Sequence, residues 1–396
     1  MDAEEWDVAV VGAGPVGLLL AGELAGAGIR TVVLERAETR SGLAKANGVV
    51  GRSAVDLARL GVLDGTGLRV VSPPRFPFGP LSLDLGFGPR NPLHVLPIPQ
   101  RGLEELLETR ARARGAEVRR GNEVIALRQD AGCVEVDVRG RAATVAALFL
   151  VGCDGARSFV RKQAGIGFPG VTSDEIAWIA RVTIPGDVIA LRGDGFDIAE
   201  VGHVAAQRRI GFPGGAFTIA AAASFDASAP EDLYVISAHE PRSGAEPRED
   251  VSVAELRAAL RRVLGAELPF TAACDVRSTV ANSRQADAYR AGRVLLAGDA
   301  AHVFGAGGAA LNAGIQDALD LAPRLRAVIR DGAAVETLDA YEEARRPAVD
   351  RTLAHTRTQA ALGVDDESGR GLREVMGAML ETRGATRALG RMLEDG

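Results

Sequence analysis

Cysteine is scarce in this 396-residue sequence, and its distribution excludes two kinds of site. The three cysteines, Cys133, Cys153 and Cys274, lie far apart and form no C-x-x-C pair. They are too few and too dispersed for the disulfide framework of a small secreted domain, and they lack the paired spacing of a thiolate metal site. We therefore expect a reducing compartment and no bound metal.

Long apolar runs are also missing. No stretch approaches the roughly 20 consecutive apolar residues that a helix needs to cross a bilayer. The N-terminus, MDAEEWDVAV, is acidic and enters an apolar strand at once, so it lacks the basic region and apolar run of a signal peptide. We therefore expect a cytoplasmic protein without a membrane partner.

Positive charge is not in excess. The chain has 46 Lys and Arg residues against 52 Asp and Glu residues, which gives a net charge of −6 at pH 7. Because nucleic acids are bound through basic surfaces, this balance argues against a nucleic-acid partner. The length and the 47% hydrophobic composition are sufficient for two globular lobes.

A glycine-rich turn lies between two predicted strands near the N-terminus. The run DVAVV is typical of a strand buried on both faces of a parallel sheet, and TVVLE, residues 31–35, is the next such strand. The sequence Gly12-x-Gly14-x-x-Gly17 leads into a small, apolar helix between them. Gly12 permits a tight turn, Gly14 lets the backbone approach a pyrophosphate, and Gly17 lets the helix contact the strand. The helix N-terminus would then face the phosphates with its partial positive charge.

Glu35 ends the second of these strands, 18 residues after Gly17. A carboxylate at this position accepts hydrogen bonds from both hydroxyls of an adenosine ribose and repels a 2′-phosphate, which disfavours NADP here. The motif does not distinguish NAD from FAD. A glycine-rich turn without a ligand is the alternative for an isolated motif.

Two later segments place an aspartate at the end of a predicted buried strand. In CDGARSFVR, Asp154 and Gly155 end such a strand, although this segment alone is also compatible with an ordinary strand–turn–helix corner. In RVLLAGDAAH, Asp299 lies at the carboxyl end of a strand, where open α/β sheets bind ligands. A long helix begins near Leu311 and Asn312, and its N-terminus points back to the same crevice, where it would suit the negative charge of a reduced flavin.

The middle of the chain has a different pattern. Segments such as IAWIARVTI and DLYVISAHE are broken by Gly, Pro and Asp and predict a mostly antiparallel sheet. We expect a discontinuous first domain, residues 1–173 and 281–362, with a small β segment near residues 70–98. The sheet domain would occupy residues 174–280, and residues 363–396 would form a helical tail with no thioredoxin-like domain.

Helical patterns predict three longer helices in the second half of the chain. One amphipathic helix, Val251–Leu264, would lie within the sheet domain. Two more, Leu311–Ile329 and Val335–Leu362, would follow, and we expect Pro347 to interrupt the latter because proline removes a helical hydrogen bond.

Taken together, these motifs resemble those of the class A FAD-dependent aromatic hydroxylases. The GxGxxG turn with Glu35, the segment CDGARSFVR and the segment GDAAH occur here in that family's order and at its separations. The segments IPQRGLEELL and RQADAYRAGRVLLAGDAAH also resemble the family, particularly its branch that acts on aromatic polyketides in bacteria. The resemblance extends from Trp6 to about Leu362.

The resemblance implies both a fold class and a chemistry. It implies an α/β protein of the para-hydroxybenzoate hydroxylase-like fold, with a Rossmann-type FAD-binding domain, an inserted, mostly antiparallel β-sheet substrate domain and C-terminal helices. FAD would be the resident cofactor, NADPH or NADH the reductant, and O2 the co-substrate. A multi-ring aromatic polyketide would be oxygenated through a flavin C4a-hydroperoxide, by hydroxylation or by Baeyer–Villiger insertion. The protein would act as a monomer or homodimer.

The resemblance also implies roles for individual residues. Gln100 would contact the phosphate or ribityl region of FAD, Asp299 would hold the ribityl chain, and the backbone of residues 307–312 would contact the isoalloxazine edge. Asp154 would belong to a segment used by both FAD and NAD(P)H, and Lys45 stands where many relatives have arginine. The residues expected to bind FAD are Gly12, Gly14, Pro15, Val16, Gly17, Glu35, Arg36, Lys45, Gln100, Asp154, Gly155, Gly298, Asp299, Gly307, Gly308, Ala310, Leu311 and Asn312.

Candidates for catalysis and substrate binding are fewer. His302 is a candidate base because it follows the Gly-Asp pair directly, and bracing of the loop is its structural alternative, since a single histidine without a placed partner is weak support for catalysis. Packing within a core is likewise the alternative for each aromatic candidate. The candidate pocket residues are Trp178, Phe212, Phe225 and Phe304.

The loop after Asp299 departs from the family pattern. Residues 302–312 read HVFGAGGAALN, without the two prolines and the glutamine that are common in relatives. Loss of prolines loosens a loop, and the Cβ of Ala310, where relatives have glycine, narrows the approach to a flavin ring. A flavin-dependent reductase or oxidase acting on a polyketide quinone, or a non-catalytic flavoprotein accessory, therefore remains an alternative to oxygenation.

Overall fold

The computed structural model describes residues 4–41, 46–140, 144–224, 229–242, 244, 246–305, 309–364 and 366–395. The strands, in chain order, are β1 Glu4–Val11, β2 Thr31–Glu35, β3 Val49–Val50, β4 Arg75–Phe78, β5 Leu81–Asp84, β6 Val95–Leu96, β7 Glu117–Arg120, β8 Val124–Gln129, β9 Val134–Val138, β10 Val145–Gly152, β11 Gly170–Thr172, β12 Glu175–Thr183, β13 Ile189–Arg192, β14 Gly195–Ile198, β15 Gly202–Ala205, β16 Ile210–Phe212, β17 Gly215–Ala221, β18 Leu233–Pro241, β19 Ala272–Thr279, β20 Asn282–Gln285, β21 Arg290–Ala291, β22 Val294–Leu296 and β23 His302–Val303. The α-helices are α1 Pro15–Gly26, α2 Arg52–Arg59, α3 Gln100–Ala113, α4 Phe159–Gln163, α5 Val253–Leu264, α6 Ala310–Arg330, α7 Asp339–Leu362, α8 Glu367–Leu380 and α9 Arg383–Asp395.

A largely parallel sheet with β1 near its centre forms the first lobe. Its strands run in the order β21-β22-β10-β1-β2-β7, and β1 is parallel to both β10 and β2. Residues 8–11 and 31–34 are buried Val, Ala, Leu and Thr, as the runs DVAVV and TVVLE predict, and α1 packs against both strands. The carboxyl ends of β1, β2, β10 and β22 therefore lie along one edge of the sheet.

Helix α1 begins immediately after the glycine turn at the end of β1. Gly14 is its N-cap and Pro15 its first residue, a position where the missing N–H of proline costs no helical hydrogen bond. The helix is apolar nearly all round because it is buried between the sheet, α3 and α6. Gly22 lets α3 approach closely, since a Cβ there would lie 3.4 Å from the Cα of Ala111. This packing fixes the N-terminus of α1 at the carboxyl edge of the sheet.

The inserted lobe is built on a five-stranded antiparallel sheet in the order β16-β17-β18-β12-β19. Helix α5 covers one face of this sheet and buries Leu256, Leu260 and Val263 against it. The helix starts with a capping box, in which Ser252 Oγ accepts from the N–H of Glu255 and the Glu255 carboxylate accepts from the N–H of Ser252. The opposite face of the sheet is left to line a cleft.

The predicted fold class is confirmed, with differences at the helix boundaries. The helices predicted at 251–264 and 311–329 are α5 and α6, displaced by one or two residues at their ends. Residues 335–338 form a separate 3₁₀ turn, and α7 then runs through Pro347 without interruption. A proline in a helix costs about 3 kcal/mol, and burial of Tyr341, Val349 and Leu353 on the same helix offsets it.

Residues 367–395 form α8 and α9, which return to the first lobe. The ring nitrogen Nδ1 of His94 lies 2.8 Å from Oε1 of Glu394, and Leu389 is buried beside Phe78 and Leu83. The domain boundaries given above remain predictions. Within the described ranges, no helix is long and apolar enough to cross a membrane.

Candidate cofactor and substrate cleft

A cleft of about 2430 Å³ runs between the two lobes. On the side of the first lobe it is lined by residues at or just beyond the carboxyl ends of the parallel strands, among them Gly12, Glu35, Asp154 and Asp299. On the other side it is lined by the open face of the inserted sheet. The three sequence motifs, which are more than 100 residues apart along the chain, therefore meet at one edge of a sheet, the position at which open α/β sheets bind ligands.

The three glycines of the first motif have different physical roles. Gly12 has φ +109°, and a Cβ there would lie 2.4 Å from the carbonyl oxygen of Cys153. A Cβ at Gly17 would lie 2.1 Å from the carbonyl oxygen of Gly12, so helix and turn touch at this point. At Gly14, by contrast, no atom of the described residues lies within 4 Å of the Cβ position. The N-terminus of α1 is thus exposed to the cleft at Gly14, which fits a pyrophosphate.

The Glu35 carboxylate is held at the end of β2 by two backbone amides. Its Oε2 accepts from the N–H of Ala13 at 2.8 Å and its Oε1 from the N–H of Ala37 at 2.9 Å. Each carboxylate oxygen can accept a second hydrogen bond, so the group is oriented and can still accept from two ribose hydroxyls. The residues at the first motif fit the pyrophosphate and ribose of an adenine dinucleotide.

The Asp154 side chain fixes the conformation of the second motif, CDGARSFVR, by accepting hydrogen bonds from the residues that follow it. Its Oδ1 accepts from Ser158 Oγ at 2.5 Å, and its Oδ2 accepts from the N–H groups of Phe159 and Val160 at 2.7 and 3.0 Å. These bonds satisfy donors at the start of α4 that have no helical partner. They also hold the backbone at Gly155 against the cleft.

Arg161 connects the second motif to the third. The side chain is buried, with Nη1 donating to the carbonyl oxygen of Ala300 and Nη2 to that of Ala156, each at 2.9 Å. The guanidinium also lies 3.8 Å from the centroid of the Phe168 ring. Arg161 therefore sets the distance between two segments that face the cleft.

A buried ion cluster lies behind the third motif. Asp317 of α6 has no exposed surface, and its Oδ2 accepts from the N–H of Gly298 at 2.9 Å and from Nε2 of His302 at 2.6 Å. Its Oδ1 accepts from Nε of Arg345 on α7 at 2.8 Å. Burial raises the pKa of Asp317, but the attraction of His302 and Arg345 outweighs burial and holds the pKa at about 2. Through the bond to the N–H of Gly298, the cluster holds in place the turn Gly298–Ala300, which contains Asp299.

The inserted sheet presents every second side chain to the cleft. Ser237 and His239 lie on β18, with Ser237 Oγ 2.9 Å from Nε2 of His239. Burial, followed by the charge of Arg209, lowers the pKa of His239 to about 4. Arg209 itself is paired with both carboxylate oxygens of Glu175, at 2.6 and 2.7 Å. The inserted sheet thus places polar side chains at defined positions in the cleft.

Similarity to known proteins distinguishes FAD from NAD as the dinucleotide for this site. The model of a family described as an FAD binding domain matches residues 5–356. The chain belongs to this FAD-binding family. The recognition of a class A FAD-dependent monooxygenase from the sequence motifs is thereby confirmed, and FAD is the dinucleotide that the Gly12–Glu35 region fits.

Three related proteins are similar over most of their length. The chain is 38% identical over 393 residues to the 12-dehydrotetracycline 5-monooxygenase/anhydrotetracycline 6-monooxygenase of Streptomyces rimosus subsp. rimosus, covering 98% of this chain and 76% of the relative. It is 35% identical over 362 residues to the dialkyldecalin synthase of Streptomyces rugosporus, covering 90% and 72%. The solved structure of the anhydrotetracycline hydroxylase from Streptomyces rimosus has a TM-score of 0.79 and 36% identity, covering 98% of this chain and 76% of that chain.

The structure brings most of the predicted FAD-side residues into one cleft. Gly17, Gly298 and Asn312 lie behind its surface: Gly298 packs on Val16, and Asn312 Oδ1 accepts from the N–H of Val50 at 2.8 Å. Lys45, Phe225, Gly307 and Gly308 lie outside the described residues. The predicted residues that line the cleft are Gly12, Gly14, Pro15, Val16, Glu35, Arg36, Gln100, Asp154, Gly155, Phe212, Asp299, Phe304, Ala310 and Leu311.

For Trp178 the predicted position in the pocket needs correction, and for His302 the structure favours one of the two alternatives given above. Trp178 lies on the helix-covered face of the inserted sheet, because its neighbours Ala177 and Ile179 line the cleft and successive side chains of a strand alternate. Its Nε1 donates to Oε1 of Glu240 at 2.8 Å. His302 has no exposed surface and is bonded to Asp317, so its position fits the bracing alternative rather than that of a base.

Asp317 and Arg345 were not anticipated from the sequence. The one local signal is an acidic residue on the apolar stripe of α6, between the buried residues Ile315 and Ala318. A carboxylate at a buried helical position needs a partner, because an unpaired buried charge is strongly unfavourable. Arg345, however, follows 28 residues later on another helix, and nothing in the spacing identifies it.

We expect Glu35→Gln to weaken FAD binding about tenfold, because the amide cannot accept from both backbone N–H groups and both ribose hydroxyls. Titration of the apoprotein with FAD, followed by flavin fluorescence, measures the dissociation constant. Glu38→Gln is the matched control, since Glu38 is exposed and three residues away but does not line the cleft. Equal dissociation constants for the two variants would contradict the assignment of Glu35.

Proposed function

We propose that the protein is an FAD-dependent monooxygenase that consumes NADPH or NADH and oxygenates a multi-ring aromatic polyketide, as a monomer or homodimer in the cytoplasm. The observation that supports this most strongly is the continuity of the cleft, which joins the FAD-side motifs to the open face of the inserted sheet. The monooxygenases named above, which are similar over nearly the whole chain, support the reaction type.

The FAD-side residues hold and polarise the cofactor in this proposal. Bound FAD supplies the redox chemistry, by accepting hydride from NAD(P)H and activating O2. Gly14 would present the N-terminus of α1 to the pyrophosphate, Glu35 would accept hydrogen bonds from the adenosine ribose, and Asp299 would accept hydrogen bonds from the ribityl chain. The N-terminus of α6, at Ala310 and Leu311, lines the cleft and carries partial positive charge, which would suit negative charge on a bound flavin.

The other half of the cleft positions the substrate and limits access of water. Phe212 and Phe304 line it together with Ala177 and Ile179 of β12. Exclusion of water by such apolar groups keeps activated oxygen from escaping as hydrogen peroxide. A phenolic substrate also activates its own ring, so the chain need not supply a catalytic base, in agreement with the buried position of His302.

The proposal is tested by incubating the FAD-loaded protein with NADPH, air and anhydrotetracycline, the substrate named for a similar enzyme. We expect the tetracyclic compound to stimulate NADPH oxidation and to yield a product heavier by one oxygen atom. NADPH oxidation that produces only hydrogen peroxide, with this compound and with other polycyclic phenols and quinones, would instead favour the oxidase or reductase alternative.

One observation favours a second candidate function, ring formation without net oxidation. The chain is 35% identical over 362 residues to the dialkyldecalin synthase, a relative named for formation of a decalin and not for oxygenation. Residues 302–312, HVFGAGGAALN, also lack the two prolines and the glutamine that the family resemblance leads one to expect after Asp299. A product isomeric with its substrate, formed without NADPH, would support this candidate and exclude oxygenation for that substrate.

A further inference from the structure

The inserted sheet arranges its cleft-facing side chains in two rows. The register pairs Ala177 of β12 with His239 of β18 and Thr279 of β19, and it pairs Ile179 with Ser237 and Arg277. All six of these residues line the cleft. Ala216 of β17, opposite His239, extends the first row.

In both rows the side chain of the middle strand is apolar and the side chains of the two flanking strands are polar. β12, in the middle, contributes only Ala177 and Ile179, whereas His239 and Ser237 lie to one side and Arg277 and Thr279 to the other. Neighbouring strands are about 4.8 Å apart, so the two polar edges are separated by roughly 10 Å. A flat ligand that reaches both edges must therefore extend over more than one ring.

His239 offers a neutral hydrogen-bonding group at the first edge. Its Nε2 is engaged by Ser237 Oγ, and among the described residues Nδ1 makes no hydrogen bond. Burial and the nearby Arg209 charge hold its pKa at about 4, against the weaker opposite effect of Glu175. At neutral pH the ring is therefore uncharged. Such a group binds a neutral hydroxyl or carbonyl oxygen and neither attracts an anion nor acts as an effective acid.

Arg277 offers a cation at the opposite edge. Its Nη1 donates to the carbonyl oxygen of Asp275 at 3.3 Å. Burial lowers the pKa of Arg277 while the carboxylates of Asp275 and Glu249 raise it, and a guanidinium remains charged at neutral pH in either case. With five N–H donors in one plane, it can keep its contacts within the protein and still donate to an ionised oxygen in the cleft.

We propose that these groups select the substrate: a flat, multi-ring phenol lies on Ala177 and Ile179, with an ionised oxygen toward Arg277 and a neutral oxygen toward the Ser237–His239 pair. The inference rests on the proposed function, because it assigns the open face of the inserted sheet to the substrate. The substrate class expected from this arrangement is a fused ring system that carries an anionic oxygen on one edge and a neutral oxygen on the opposite edge.

Binding of alizarin to the oxidised, FAD-loaded protein tests this arrangement without turnover. Alizarin is a fused three-ring phenol whose monoanion absorbs at longer wavelength than its neutral form, so its spectrum reports its ionisation state when bound. We expect the bound probe to be the monoanion. Arg277→Gln should raise its dissociation constant about tenfold or more and shift the bound spectrum toward the neutral form. Arg277→Lys should keep the monoanion.

Variants of the opposite edge should change affinity without changing ionisation. We expect His239→Leu to raise the dissociation constant about tenfold and His239→Asn, which keeps a polar atom near the position of Nδ1, to restore part of the loss. His203→Gln is the matched control, because His203 is exposed and bonded to Asp194 and Asp197 away from the cleft. FAD content and melting temperature show that each variant is folded.

Two results would overturn the inference. One is absence of alizarin binding to the wild-type protein; the other is a dissociation constant and spectrum that are the same in all variants. Because no NADPH or O2 is consumed in this assay, either result would leave oxygenation, measured separately by product mass, as an independent outcome. Conversely, failure to oxygenate anhydrotetracycline would not alter the expected alizarin spectra.

Discussion

The Asp317→Ala variant will be strongly destabilised and will lose FAD. The substitution leaves the buried Arg345 guanidinium without its carboxylate, and it leaves the N–H of Gly298 and the ring of His302 without their acceptor. Removing one partner of a buried ion pair costs about 3–5 kcal/mol, which for a chain of 396 residues corresponds to a fall in melting temperature of roughly 4–6 °C. Because Gly298 precedes Asp299 in the turn that faces the cleft, we expect the FAD content of the purified protein to fall as well.

Asp320→Ala is the matched control for this prediction. Asp320 lies three residues further along α6 and pairs with Arg324 at 2.8 Å, but both side chains are 27% exposed. A partly exposed pair of this kind contributes at most about 1 kcal/mol. Thermal unfolding followed by circular dichroism, which does not depend on bound FAD, should therefore separate the two variants clearly. Equal melting temperatures would mean that the cluster does not stabilise the third motif.

The same cluster predicts a dependence of stability on pH. The pKa of Asp317 is lowered from 3.8 to about 2 in the folded protein. A lowered carboxyl pKa stabilises the folded state fully above the unfolded value, and this stabilisation is lost as the pH falls through the folded value. Wild-type protein should therefore lose stability between about pH 4 and pH 2, and Asp317→Ala should lack this part of the loss.

Gly17→Ala will lower the stability of the protein itself, whereas Gly14→Ala will weaken only the binding of FAD. A Cβ at Gly17 would lie 2.1 Å from the carbonyl oxygen of Gly12, so α1 or the turn must move, at a cost of roughly 1–3 kcal/mol. A Cβ at Gly14 meets no described atom within 4 Å, and it would instead enter the space assigned to the pyrophosphate. Gly17→Ala should thus lower the melting temperature of both apoprotein and holoprotein.

Gly14→Ala should keep the melting temperature of the apoprotein and raise the dissociation constant of FAD about tenfold or more. Calorimetry of the apoprotein and FAD titration of each variant provide the two numbers. If Gly14→Ala bound FAD as tightly as wild type, the pyrophosphate would not lie at the N-terminus of α1. If Gly17→Ala were as stable as wild type, helix and turn would not be in the close contact described.

The features that the sequence predicted are those with a local pattern. The buried strands near Glu35, Asp154 and Asp299 could be recognised because each combines an apolar run with a polar residue at or just after its carboxyl end. Parallel strands then place their carboxyl ends along one edge, so recognition of the strands was enough to predict a common site.

The features that escaped prediction depend on pairings distant in the chain. The strand EIAWIARVT has apolar residues at odd and even positions, so its sequence does not show which face is the core, and Trp178 was assigned to the wrong one. The Asp317–Arg345 pair joins two helices whose relative position follows from packing rather than from spacing. The alignment of His239 and Arg277 likewise needs the register of β12 with two other strands.

The central claim, oxygenation of a multi-ring aromatic substrate in the cleft between the lobes, is tested most directly with labelled oxygen. FAD-loaded protein is reduced anaerobically with one equivalent of NADPH in the presence of anhydrotetracycline and then mixed with ¹⁸O₂. The account predicts loss and return of the oxidised flavin absorbance and a product that contains one ¹⁸O atom. Return of the oxidised flavin with all of the label in hydrogen peroxide, for anhydrotetracycline and for other multi-ring phenols, would contradict it.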